Sequence, residues 1–293
     1  MDFDEYQTLA SKTDQHPKVP GDASDDSRSI LIPLLGLAGE TGELVSEYKK
    51  RLRDGEAYSH FDQRMAEELG DLLWYLANIA TKFDLSLSSI ARSNLEKTDR
   101  RWNSRTTIGL LDDGFPVGQQ FPRDFMIDLK LDEIGRAQMF MGTQQLGDPL
   151  TDNAYEPDGY RFHDVFHLTY AALLGWSPVI RALMKRKRKS KKKVDEVDDG
   201  ARARIIEEGI AAMLFGQFEF DNSLGRVQAV RYELLRTIKL VTSHLEVSVR
   251  TERDWERAII RSFEVWNTIE NKGGGRLHLN LERRTIDVID KDA

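Results

Sequence analysis

Two acidic pairs on consecutive helical stretches constrain this chain more than any other feature. In "GLAGETGELVSEYKK" (36–50), Glu40 and Glu43 stand three residues apart, with Gly39 and Gly42 beside them. In "EELGDLLWY" (67–75), Glu68 and Asp71 repeat that spacing. Residues three apart on a helix project from one face. Glycine in a helix interior costs about 0.8–1 kcal/mol relative to alanine, so Gly39 and Gly42 need a reason, and close approach of a phosphate or a neighbouring helix is one. Two antiparallel helices joined by the turn "DGEAYSH" (54–60) would set Glu40 and Glu43 against Glu68 and Asp71. Four facing carboxylates repel, and burying them unpaired is costly. A hard divalent cation removes the conflict, because Mg²⁺ takes oxygen ligands and keeps water for substrate phosphates. Facing helices of a bundle build metal sites in this way. The alternative is two solvated faces, since single acidic pairs at this spacing are common on surface helices.

The rest of the chain narrows the class. Its 293 residues suit one large domain or two modest ones. It has no cysteine, which excludes disulfides, thiolate catalysis and cysteine-ligated zinc and suits a reducing, cytoplasmic setting. The opening "MDFDEYQTLA" is acidic and does not read as a signal peptide. The apolar stretch "ILIPLLGLAG" is about half a membrane span and holds Pro33, so no transmembrane helix and no membrane partner are expected. A net charge of −7 argues against nucleic acid as a general partner.

Helical periodicity predicts a short helix over 4–14, a loop over 15–27, and helices over 30–53, 61–82 and 84–102, the last capped by Asp84. On the 61–82 helix the apolar positions Met65, Leu69, Leu72, Leu73, Leu76 and Ile79 are the expected buried face. Residues 1–105 therefore read as a helical bundle and 106–123, with two prolines and two glycines, as a linker. Over 124–132 the residues alternate as in a strand, and "RLHLNL" and "TIDVID" near the end read as a hairpin that pairs with it. The stretch between, 135–270, reads as mostly helical. The fold class is mainly α, with a small antiparallel β-sheet in the second domain, 124–293.

"LLGLAGETGELVSEYKK", "EELGDLLWYLANIA" and "NLEKTDRRW" together resemble the MazG-type all-α nucleoside triphosphate pyrophosphohydrolases over about residues 1–105. Gly39 stands where many of these enzymes open the first motif with a second glutamate, which makes the chain similar to the shorter, dCTP-pyrophosphatase-like branch. The resemblance implies cleavage of an NTP or dNTP between its α and β phosphates. It implies Glu40, Glu43, Glu68 and Asp71 as ligands of Mg²⁺, with Mn²⁺ able to substitute, and Glu43 or else Glu40 as the base that activates water. It assigns Asn94, Lys97 and Arg101 to phosphate contacts; Lys50 belongs with the substrate-binding candidates, and Glu47 pairs with Lys50 or Arg51. Trp74 and Tyr75 are candidates to stack on a base and Asn78 to read one, with core packing the alternative for Trp74. Packed subunits are usual in this group, so a homo-oligomer or an intramolecular pseudo-dimer is expected.

The second half also resembles the C-terminal domain sometimes attached to MazG-type domains. Its stretch "LLGWSPVIRALMKRKRK" (173–189) can be laid on the first motif, with Val179 and Ala182 in place of Glu40 and Glu43, which suggests a degenerate copy. The run "KRKRKSKKK" (185–193) reads as a solvated loop. In "YRFHDVFHL", His163 and His167 share a helix face at a zinc-ligand spacing, with Glu207 or Glu208 as third ligand; a polar helix contact is the other reading. A nucleotide-sensing or nucleic-acid-associated regulator that binds without turnover is the alternative to an enzyme.

Overall fold

The structure is a computed structural model that describes residues 1–15, 23–102, 109–221 and 226–289. The chain forms two compact units that divide between Thr98 and Asp99.

The first unit contains α1 (Phe3–Ser11), α2 (Ala23–Asp54), α3 (Phe61–Lys82) and most of α4 (Leu87–Trp102). Most of the loop expected over 15–27 lies outside the described residues, and from Ala23 the chain is already helical. Asp84 does not cap α4: it sits in the left-handed region at φ 55°. The Ser86 hydroxyl accepts from the Ser89 amide instead, as an N-cap does. Asp2 caps α1 by accepting from the Glu5 amide. Among the described residues of this unit, Ala10, Ala77 and Leu87 form the buried apolar cluster, with Tyr6, Leu73 and Trp74 packed against it. The expected buried face of α3 is therefore only partly buried: Leu69 and Leu76 are exposed, and the buried residues are Ala77, Asn78, Ala80 and Lys82. Lys82 is satisfied by an ion pair with Asp14.

The second unit carries β1 (Asp124–Leu131), β2 (Ala137–Met141), β3 (Gln144–Leu150), α5 (Asp164–Leu174), α6 (Pro178–Leu183), α7 (Lys192–Val197), α8 (Ala201–Phe220), α9 (Tyr232–Val241), α10 (Glu252–Lys272), β4 (Gly274–Asn280) and β5 (Thr285–Ile289). The strands make one antiparallel sheet in the order β3-β2-β1-β4-β5. The hairpin and its pairing with the first strand are as the alternation predicts, with Ile127 opposite Leu277 and Phe125 opposite Leu279. Strands β2 and β3 fall in the stretch read as mostly helical. Phe125, Ile127 and Leu129 alternate inward with Leu277 and Leu279 to meet α5 and α10.

Helix α10 starts from a capping box between Thr251 and Asp254 and buries Trp255, Ile259, Phe263 and Trp266. It ends at Gly273 in the left-handed region (φ 65°). A Cβ on Gly274 would stand 2.5 Å from the Leu129 carbonyl oxygen. The glycine triplet thus turns a helix straight into a strand.

Three sequence readings of this half need correction. Residues 109–121 are no free linker: Leu110 and Leu111 pack on the core, and Phe121 and Asp112 are buried. The run 185–193 is no solvated loop, because Arg188 is fully buried between Asp199 and Glu246 and Arg186 donates to the Val117 and Gln120 carbonyls. The degenerate copy also finds no counterpart. Val179 and Ala182 lie on the six-residue α6, and among the described residues of this unit there is no equivalent of the long α2–α3 pair, which removes the basis for a pseudo-dimer.

Candidate functional site

Helices α2 and α3 run antiparallel through the turn at 55–60, so a stripe Gly36, Glu40, Glu43, Glu47 on one faces Tyr75, Asp71 and Glu68 on the other. The close contact is at Gly36, where a Cβ would stand 2.3 Å from the Tyr75 ring. Only glycine lets the tyrosine cross there. Gly39 and Gly42 face open space instead, with nothing of this chain within 4 Å of a Cβ built on them.

One turn further along, ligand atoms of Glu40, Glu68 and Asp71 all lie within 4.8 Å of one another. Burial, then the charges of Glu40, Glu43 and Asp71 and a hydrogen bond with Glu40, hold the Glu68 carboxyl above its ordinary value. Glu43 is exposed, is not part of the close triple, and still reaches Glu68 electrostatically. An oxygen-only donor set, in which Glu40 and Glu68 are half-buried, Asp71 is exposed and the carboxylates repel one another, fits a hard divalent cation.

Repulsion gives the site a stability signature. Because the folded state raises the Glu68 pKa above 4.5, it binds that proton more tightly than the unfolded chain does. The contribution of Glu68 to stability is therefore largest in acid and is lost as pH rises through the raised value. Glu68→Gln should raise the Tm of metal-free protein at neutral pH, shrink that loss with pH, and abolish the stabilisation that Mg²⁺ gives the parent, all readable by thermal unfolding.

The other candidate side chains divide. Lys50 hydrogen-bonds Glu47, as the spacing suggests, and Glu47 also accepts from the Tyr58 hydroxyl, a partner that the sequence reading did not identify. Those bonds hold the Glu47 carboxyl below its ordinary value. Trp74 donates Nε1–H to Thr13 Oγ1 at 2.8 Å and packs against the Ala10–Ala77–Leu87 cluster, so it serves helix packing and not base stacking. Its ring meets Tyr75 edge-on at 4.9 Å. Asn78 is buried on the stripe of Asp71, donates to the Trp74 carbonyl, and leaves Oδ1 with no hydrogen-bond partner. Asn94 and Lys97 line a shallow cleft built from residues 85–97 alone. Arg101 belongs to the second unit, 3.3 Å from Glu256 and over the Tyr232 ring, so it is engaged there and is corrected as a phosphate contact.

Two family models match the chain. The family model of the MazG nucleotide pyrophosphohydrolase domain matches residues 29–106, and that of the MazG C-terminal domain matches residues 106–292. The Gene 37 protein of Mycobacterium phage L5 is 37% identical over 103 residues, covering 34% of this chain and 89% of that protein. No solved structure matches.

Proposed function

The chain belongs to the MazG family of nucleotide pyrophosphohydrolases, with a MazG C-terminal domain, and from that premise we propose that its helical unit converts an NTP or dNTP and water to the monophosphate and pyrophosphate. The observation that carries the proposal is the convergence of Glu40, Glu68 and Asp71 from two helices, with Glu43 left outside the triple. These three carboxylates would hold Mg²⁺, with Mn²⁺ able to substitute. Bound there, the cation supplies neutralisation of the triphosphate charge and activation of a water. Glu43, exposed beside the triple, takes the proton of the attacking water as it adds to the α-phosphorus in line with the departing pyrophosphate. Lys50, two helical turns from Glu43, adds positive charge at the same end of the stripe. Toward the other end, Tyr75 and the unpartnered Oδ1 of Asn78 support a base that presents an amino donor, as cytosine does in dCTP.

The test is a panel of NTPs and dNTPs with Mg²⁺, with products resolved by chromatography. Monophosphate plus pyrophosphate is the expected outcome, fastest with an amino-bearing base. Release of inorganic phosphate alone, or binding without turnover, overturns the reading; the second outcome would favour a nucleotide sensor.

The exposed apolar side chains of α2 support assembly of this unit with a second copy of itself. Leu35, Val45 and Leu52 are 62%, 63% and 71% exposed, and Leu69 on α3 is 52% exposed. By length and composition alone the stretch Arg28–Ala57 could also cross a membrane, and 11% of its most apolar 18-residue window is buried. Glu40 and Glu43 lie within that stretch, and carboxylates are costly in lipid, so protein is the better cover. Light scattering should return a dimer or larger without detergent, and Leu35→Glu should shift it toward monomer. A monomeric parent would refute this assembly.

A further inference from the structure

The second unit holds a cluster that pyrophosphohydrolysis at the helical pair does not use. His163 immediately precedes α5 and His167 lies one turn on, with ring centroids 5.6 Å apart. From α8, Glu208 Oε2 comes within 3.2 Å of His167 Nε2 and 3.5 Å of His163 Nε2. Both imidazoles thus turn the same nitrogen toward a single carboxylate oxygen.

The outward nitrogens are equally determined. His163 Nδ1 lies 2.9 Å from the Tyr160 carbonyl oxygen, which can only accept, so this nitrogen carries a proton. His167 Nδ1 lies 3.0 Å from Glu207 Oε1. Glu207 is fully buried and is fixed by the Ser177 hydroxyl at 2.6 Å and the Val179 amide at 2.8 Å. Tyr160 stacks flat on the His163 ring at 4.3 Å and holds its orientation. A neutral imidazole that donates from Nδ1 presents a lone pair at Nε2. Once each Nε2 gives up the proton it holds toward Glu208, two such lone pairs and a carboxylate oxygen face one another, which is the donor set of a metal site.

Metal-binding histidines characteristically give their second N–H to a carbonyl or carboxylate, which fixes the tautomer. Tetrahedral ligand atoms at ~2.0–2.1 Å from zinc stand about 3.3–3.4 Å from one another, and the two separations at Glu208 straddle that spacing. We infer that His163 Nε2, His167 Nε2 and Glu208 Oε2 form a binding site for a divalent transition metal, Zn²⁺ first, with a fourth position open. Imidazole ligands select such ions over Mg²⁺, so the chain holds two sites of different chemistry. Glu208, with 45% of its side chain exposed, gives the ion its way in. Glu207 is a positioning residue that orients His167.

The experiment uses the full chain, stripped with chelator and kept in excess Mg²⁺ so that the carboxylate site is filled. Zn²⁺ is titrated by calorimetry and by thermal unfolding, for the parent and for Glu208→Gln, and Co²⁺ is added to both to read ligation by visible absorption. One Zn²⁺ per chain, a raised Tm and a Co²⁺ spectrum are expected for the parent. Glu208→Gln, half exposed and therefore safe for folding, should weaken binding by at least about 10–100-fold, the range seen even for outer partners of a metal site, and lose the Co²⁺ band. His163→Asn should do the same, with circular dichroism as the check on its fold. No stoichiometric binding by the parent overturns the site and leaves an imidazolium–carboxylate network, in which Glu208→Gln lowers the Tm with no metal present. Equal binding by parent and Glu208→Gln overturns the ligand assignment.

Discussion

Replacing Glu43 by glutamine is expected to lower kcat by about 10²–10⁴-fold, the usual contribution of a positioned general base, while the protein keeps its fold. The fold should survive because Glu43 is exposed and its removal relieves the repulsion felt by Glu68. The kinetic pattern separates two roles. If Glu43 takes the proton of the attacking water, kcat falls and the acid limb of the pH–rate profile disappears, while the Mg²⁺ concentration for half-maximal activity stays near that of the parent. If Glu43 is instead a metal ligand, the half-saturating Mg²⁺ concentration rises steeply and excess metal restores part of the rate. The contrast with Glu40→Gln sharpens the test, because Glu40 lies inside the close triple and its loss should raise the metal requirement. Parent-like turnover by Glu43→Gln would remove this carboxylate from the mechanism.

The helical pair was legible because its signal is local. Glu40 and Glu43, like Glu68 and Asp71, lie within a helical turn of each other, so spacing alone puts each pair on one face, and the turn at 55–60 is too short for any arrangement but an antiparallel one. What covers the apolar side of α2 was not legible: a stripe bound for another copy has the same period as one bound for the chain's own core. The strands β2 and β3 were missed because Gly135, Gly142 and Gly147, all at positive φ, break a stretch whose alternation is short and partly polar. His163 and His167 carried a visible spacing, but the choice between Glu207 and Glu208 depends on how α8 meets α5, which no spacing encodes. The basic run misled for a related reason. Its nine residues look alike in sequence, yet burial picks out Arg188, whose partners Asp199 and Glu246 lie 11 and 58 residues away.

That arginine carries the largest expected loss of stability. Arg188 is 0% exposed. Its guanidinium donates to Asp199 at 2.7 Å and to both oxygens of Glu246 at 2.6 and 2.7 Å, and its own amide donates to Asp199 at 2.6 Å. Burial alone would push the guanidinium pKa down, but the hydrogen bonds and charges of Glu246 and Asp199 hold it above the ordinary value. Asp199 also lies 3.5 Å from Arg181, which pairs in turn with Asp112 at 3.0 Å, so one chain of alternating charge joins residues 109–121 to α6 and α7 and the turn before α10. Arg188→Ala would strand Asp199 and Glu246 in the interior, and breaking a buried pair in this way costs about 3–5 kcal/mol. Urea unfolding of the full chain should show that loss in the transition assigned to the second unit. Lys189→Ala, from the same run but exposed, should change stability by no more than about 0.5 kcal/mol. Arg188→Met is the discriminating variant: it keeps the volume and removes the charge, so an equally large loss would attribute the effect to the unpaired carboxylates, whereas a small one would attribute it to the cavity left by alanine. Loss of the same size from Lys189→Ala would return the whole run to the role of a generic charged segment.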